Sequence, residues 1–266
     1  MPAPYRTSFN GRLDRLSSLI DRLRVHVDIS LTTGADGSDA NLRIYDSPVK
    51  GQRLAFCPAR DGKGTLCGME PASDETSLVA ARITISGVGR QLISALPDCI
   101  SVQMTEDPFL SAVVTPLIEE ATMPRCGGQA AFQRLCEVVV IRLLRHAMEE
   151  GKADTGLLNG LANPRIAAAL VAIHEVPGEP WTLEKLAETA GMSRTQFAVT
   201  FKELVGTTPM GYLSNWRLDI ARSELETGRQ VKAVASLCGF ASPAAFSRAF
   251  SRRFGYSPKQ KRSQAA

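Results

Sequence analysis

The sequence predicts an α+β multidomain chain: a small N-terminal β-barrel, a helical hairpin and an all-α C-terminal domain. Three observations carry that prediction. Apolar residues alternate with period two within residues 1–105, they recur at helical spacing from residue 107 onward, and beyond residue 163 a patterned block returns as a near copy of itself. A chain of 266 residues, 44% hydrophobic and 22% charged, has material for two domains with separate cores.

The strands come first. Residues 79–86 set Val79, Ala81, Ile83 and Ile85 on one face of an extended segment, and Leu42/Ile44, Leu54/Phe56 and Ile100/Val102/Met104 alternate over shorter spans. The stretches TTGADGSD, ARDGKG and MEPASD supply turn residues between them. Short strands with frequent turns suit a small barrel or sandwich.

Two helices follow. Residues 107–123 align Phe109, Leu110, Val113, Val114, Leu117, Ile118 and Ala121, with Pro116 expected to kink the segment. Residues 127–150 align Phe132, Leu135, Cys136, Val139, Val140, Leu143, Leu144 and Ala147. Val138 and Ile141 lie outside that stripe, so the second helix has apolar surface for a dimer partner or for another neighbour within the chain. GKADTGLLNGLANP has linker composition. The expected division is 1–105 sensor, 106–150 hairpin and probable dimerisation element, 151–162 linker, and 163–266 as a separate helical domain.

Composition narrows the function. The N-terminus MPAPYRTSFNGRLDR has no apolar core of a secretory signal, and the longest apolar runs, such as residues 138–141, are cut by charges such as Arg142. A cytoplasmic protein with no membrane partner is expected. Six cysteines are scattered without a CxxC pair, and His26, His146 and His174 stand far apart, so no metal site is expected. The net charge of +4 is uneven, with 14 Lys/Arg against 8 Asp/Glu from residue 163 onward and no acidic residue after Glu226. A basic, patterned segment points to a polyanion partner.

The repeat itself carries the functional argument. In residues 186–209 and 234–258, Ala187 and Gly191 match Ala235 and Gly239 at a spacing of 48, while Phe197, Phe201, Gly206 and Pro209 match Phe246, Phe250, Gly255 and Pro258 at 49. Each copy reads as helix-turn-helix. A small Ala permits a close crossing, a Gly provides the left-handed exit, and a new N-cap begins the second helix. Ser193 with Gln196 forms a capping box in the first copy, and Ser242 with Pro243 starts the helix in the second. Phe197, Phe201 and Leu204 turn inward, as do Phe246, Phe250 and Arg253/Phe254. Between the copies Thr208 and Pro209 open a long helix, stopped by Gly228, whose buried stripe is Leu213, Trp216, Ile220, Ala221 and Leu225. Periodicity alone fits a plain helical bundle. The duplicated framework in a basic segment favours duplex DNA binding, with the long helix spacing two recognition helices into successive major grooves.

Residues 163–262 resemble the C-terminal domain of the AraC/XylS family of bacterial transcription regulators. GFASPAAFSRAFSRRFGYSP is similar to the family's second-motif signature, and MSRTQFAVTFKELVGTTPMGYLSNWRLDIA to its first motif and linker helix. LISALPDCI, the helical pair and LLNGLANPRIAAALVAIHEVPGEPWTLEKLA resemble the branch with a cupin-type N-terminal domain. The resemblance implies a cupin-like barrel, promoter DNA and a homodimer as partners, RNA polymerase as a further partner of an activator, and a nucleoid-associated location. Carried over by position, it gives DNA contacts at Arg194, Thr195, Ala198, Val199 and Lys202 in the first recognition helix, and at Ser247, Arg248 and Arg252 in the second. The family frequently has Arg where Val199 stands, which implies apolar reading of a thymine methyl. Pro243 and Ala244 replace polar base readers, which leaves the second helix chiefly to phosphates.

The N-terminal half is expected to sense a signal and not to catalyse. Cupin enzymes use a His-rich metal cluster, and only His26 falls in the barrel region; no Ser-His-Asp, Cys-His or GxxxxGK arrangement is present. Lys50, Arg53, Arg60 and Lys63 cluster beside Gly-rich turns and could receive an anionic effector. A relative in this branch binds a cyclic dinucleotide through an N-terminal RxxxR pair, which implies cyclic di-GMP, although Arg6, Arg12 and Arg15 do not reproduce that spacing. Redox sensing is the alternative, through Cys57 and Cys67 flanking the same loop, although Ala80 and Ala81 stand where oxidant-sensing relatives keep a Cys.

Overall fold

The computed structural model describes residues 8–9, 12–28, 40–58, 69–87, 96–123, 125–150 and 156–263. The described residues fall into two compact units: those up to Leu23 with Gly87 and those from Gly156 onward, and those from Arg24 to Ser86 with those from Leu96 to Glu150. Arg6, Arg60, Lys63 and Cys67 lie outside the described residues.

The first described elements are β1 (Ser8–Phe9), paired antiparallel to β2 (Arg12–Leu13), and a single helical turn, α1 (Ser17–Ile20). The Asp14 carboxylate accepts from the backbone N–H groups of Leu16 and Ser17 and starts that turn. Leu16 and Leu19 are buried.

The next strands build an antiparallel sheet. They are β3 (Leu23–Asp28), β4 (Leu42–Ser47), β5 (Gly51–Phe56), β6 (Thr76–Gly87) and β7 (Ile100–Gln103), in the order β3-β6-β4-β5-β7. The register pairs Ile44 with Leu54 and with Val79, and Leu54 with Val102, so the expected alternating residues stack on one face. Leu42, Ile44, Leu54, Phe56, Val79, Ala81, Ile83, Ile100 and Val102 are all buried. β6 is longer than the expected strand, and its register with β4 shifts between Ile44 and Tyr45.

The hairpin consists of α2 (Pro108–Thr122) and α3 (Gly128–Glu150). Asp107 caps α2 by accepting from the Leu110 N–H at 2.8 Å, and the helix continues through Pro116. Leu110, Val114 and Leu117 are buried, as are Phe132, Cys136, Val139, Val140, Leu143 and Leu144. Gln133 of α3 holds the outer edge of β3, donating to the Val25 carbonyl and accepting from the Val27 N–H. The hairpin therefore belongs to the sheet's unit. Val138 is 39% exposed and Ile141 half-buried, on the surface expected to serve either a dimer partner or another neighbour within the chain.

The segment expected as linker contains a helix, α4 (Leu157–Ala162), with Leu157, Leu158 and Leu161 buried. Its Gly and Asn content disguised three leucines at helical spacing. α5 (Pro164–Glu175) follows, capped by Asn163 and buried along most of its length. Arg15 donates to the carbonyls of Leu161 and Ala162, both at 2.9 Å, and so satisfies the end of α4.

Candidate nucleic-acid interface

Each repeat is built by the same local rules. In the first, α6 (Leu183–Thr189) leads through Gly191, at φ 61°, to Ser193, whose hydroxyl accepts from the Gln196 N–H and opens α7 (Arg194–Val205). α8 (Pro209–Glu226) joins the copies, capped by Thr208 and buried through Tyr212, Leu213, Trp216, Ile220, Ala221 and Leu225. In the second copy, α9 (Val231–Leu237) leads through Gly239 to Ser242, which accepts from the Ala245 N–H and opens α10 (Pro243–Phe254). α11 (Pro258–Ser263) is the last described element. Ala187 and Ala235 are both buried, as the close helix crossings require.

The anchors of the two recognition helices have one geometry. Phe197 and Phe201 meet edge to face at 5.5 Å and 61°, and Phe246 and Phe250 at 5.5 Å and 62°. All four rings are fully buried. With those positions inward, the outer face of α7 carries Arg194, Thr195, Val199 and Lys202 exposed, with Ala198 half-buried. Val199 is 52% exposed, an apolar side chain in a polar setting. On α10, Arg248 and Arg252 are exposed and Ser247 is half-buried. Arg194 pairs with Glu184 of α6 at 2.9 Å. That contact, between largely exposed groups, holds the Glu184 carboxyl below its ordinary range.

Several residues that set this geometry were invisible to pattern reading. Arg217 of α8 donates from Nε to the Pro177 carbonyl and from Nη2 to the Glu179 carbonyl, both at 2.7 Å, and so clamps the turn after α5. That turn meets the second repeat: a Cβ at Gly239 would lie 2.6 Å from the Gly178 carbonyl oxygen, on a backbone already at φ 70°. Glycine is required there twice over. Asp219 accepts from Arg253 at 3.0 Å on both oxygens, tying α8 to α10. Arg253, expected to turn inward beside Phe254, is held by this pair while its guanidinium lies over the Phe254 ring. Beneath the first repeat, His174 is fully buried, 2.7 Å from the Tyr212 hydroxyl through Nε2 and 4.4 Å from the Trp216 ring. Burial pushes its pKa down to about 3, so the imidazole is neutral.

A helix-turn-helix domain model matches residues 186–264, and a cupin model matches residues 38–149, spanning sheet and hairpin together. A putative AraC-like transcription regulator of Streptomyces lividans is 30% identical over 218 residues, which are 80% of this chain and 70% of that protein. The chain belongs to the AraC/XylS family. The HTH-type transcriptional regulator AlkR of Acinetobacter baylyi is 33% identical over 183 residues, 67% of this chain but 60% of AlkR. A crystal structure of an AraC-type DNA-binding protein from Chromobacterium violaceum is 31% identical, matching 39% of this chain and 93% of that one with a TM-score of 0.37.

The described basic residues expected to receive an effector in this AraC/XylS chain have different surroundings. Lys50 is exposed at the β4–β5 turn. Arg53 forms an ion pair with Glu75, the two side chains only 12% and 3% exposed, and lies over the Tyr45 ring at 4.7 Å. The Arg53 hydrogen bond holds Glu75 down at about 2, so the pair is internally neutralised. Arg15 belongs to the other unit and is committed to the α4 carbonyls, while the side chain of Arg12 is not described. Among the described residues no group of three or more His, Cys, Asp and Glu could hold a metal, and no helix is long and apolar enough to cross a membrane.

Proposed function

We propose that this chain is a sequence-specific DNA-binding transcription regulator whose cupin-like unit receives the controlling signal. The single observation that supports it best is the pair of recognition helices, anchored by identical buried Phe pairs and presenting Arg194, Thr195, Val199 and Lys202 in one copy and Arg248 and Arg252 in the other. The 18 residues of α8 span roughly 27 Å, a rigid connector between two recognition helices that enter successive major grooves. Val199 reads a thymine methyl and Arg248 neutralises a phosphate. A homodimer through the exposed side of α3, contact with RNA polymerase as an activator, and a cytoplasmic location complete this reading. For the signal, Lys50 with Arg60 and Lys63 keeps an anionic effector such as cyclic di-GMP in play, now without Arg53. The alternative is an oxidant acting on thiols of the sheet.

The test is a titration of the full-length protein with its own upstream DNA over a series of salt concentrations. Affinity falls steeply as salt rises, because bound phosphates release counterions. Salt-independent binding, or none to any genomic fragment, would overturn the reading.

A further inference from the structure

The second face of the sheet holds a pair of sulfurs that DNA binding does not use. β5 and β7 run antiparallel with Ala55 opposite Ser101 and Phe56 opposite Ile100. One more residue of that register sets Cys57 opposite Cys99. Cys57 keeps the extended alternation of β5, because its N–H donates to the Asn41 carbonyl at 2.8 Å on the β4 side. In an antiparallel strand a residue's N–H and C=O point the same way. Toward β7, then, Cys57 occupies a non-hydrogen-bonded position, where facing Cα atoms lie about 4.5 Å apart and side chains approach most closely. An independent observation agrees: Cys57 and Cys99 both pack against the same small cluster of Tyr45, Ala55 and Met69. We infer that Cys57 and Cys99 form a cross-strand dithiol that converts reversibly to an intramolecular disulfide. This inference stands whether or not the chain binds DNA.

The chemistry fits the position. A Cα separation of about 4.5 Å lies at the short end of the span a disulfide accepts, so the bond closes without large backbone movement and remains easy to reduce. Both residues are partly exposed, so a small oxidant reaches them. With a hydroperoxide, one thiolate attacks the O–O bond. That bond breaks, an alcohol leaves with the proton, and a sulfenic acid forms on sulfur. The second thiolate then attacks that sulfur, the S–S bond forms, the S–O bond breaks and water leaves. Two thiols give up two electrons and two protons, and the hydroperoxide is reduced to alcohol and water. Cys136 and Cys238 are poor competitors, since burial pushes both thiols up to about 12.

Hydrogen peroxide treatment of the reduced full-length protein, followed by alkylation and peptide mass mapping, tests the inference. The expected product has lost two hydrogens, joins the peptide containing Cys57 to the peptide containing Cys99, and returns to two alkylatable thiols with dithiothreitol. In Cys99→Ser that linkage is absent and Cys57 is trapped as sulfenic acid by dimedone. Wild-type mapping alone is decisive if the variant does not fold. Joining of Cys57 to Cys67, or full alkylation of Cys57 and Cys99 after peroxide, would overturn the assignment.

Discussion

The two helix-turn-helix copies share their buried chemistry and differ in what they show to solvent. Phe197/Phe201 and Phe246/Phe250 hold α7 and α10 with the same ring geometry. At the position two residues beyond the first Phe of each pair, one copy has Val199 and the other Arg248, both exposed. Likewise α7 begins with Arg194, tethered to Glu184, where α10 begins with Pro243. The inner face is dictated by packing, which both copies must satisfy in the same way. The outer face meets no such demand and is free to specialise, here into a helix with an exposed valine and a helix of cations.

The supports beneath the copies differ too. Phe201 packs at 5.8 Å against Tyr212, which bonds to buried His174, whereas Phe250 packs against Phe254 and Tyr256 near the chain's end. Truncation tests whether the shared anchors are equivalent. Phe201→Ala and Phe250→Ala should each cost about 3–5 kcal/mol in chemical denaturation. A far smaller loss for Phe250→Ala would show that the second copy repacks where the first cannot.

His174 gives the first copy an acid sensitivity that the second lacks. Its folded pKa, near 3, lies below the ordinary value of 6.5, so the unfolded chain binds the proton more tightly. Stability contributed by the neutral ring is complete above the ordinary value and falls with pH by about 1.4 kcal/mol per unit between those two limits. Denaturation of wild type and His174→Gln at pH 7 and pH 5 measures it: the variant loses less stability than wild type between the two. Equal losses would place the acid sensitivity elsewhere.

The outer faces can be separated by base chemistry. Replacing operator thymines singly with deoxyuridine removes one methyl, and at one position this should cost about 0.8 kcal/mol, close to four-fold in affinity. Val199→Ser should abolish that difference. Arg248→Ala should instead weaken binding to all sequences alike and reduce the salt slope by about one. Loss of discrimination at one base pair in Arg248→Ala would make it a base reader.

A comparably small effect concerns the tie between the copies. Asp219→Ala removes the carboxylate that holds Arg253, a partly exposed pair worth up to about 1 kcal/mol. Thermal melting should fall slightly, and Arg253, released, becomes an additional cation near the DNA face. Weaker DNA binding at low salt would show instead that the tie positions α10.

Sequence alone determined what depends on neighbours a few residues away. The caps Ser193, Thr208 and Ser242, the left-handed glycines, the inward Phe pairs and the outward faces all follow from local hydrogen bonding and helical period. The sheet's alternating face followed in the same way from period two. Tertiary structure decided everything that joins distant segments. It made a helix of residues 157–162 by burying three leucines, and returned Arg15 to that helix across 146 positions. It paired Arg53 with Glu75, removing a cation from the expected effector site, and it made Arg217 a clamp on the Pro177 and Glu179 carbonyls. Strand register and a shared apolar cluster relate Cys57 to Cys99, 42 positions apart in sequence. Local rules act through backbone geometry, which each residue carries with it. Long-range pairings depend on which surfaces the packed elements leave facing each other, and no short window of sequence contains that information.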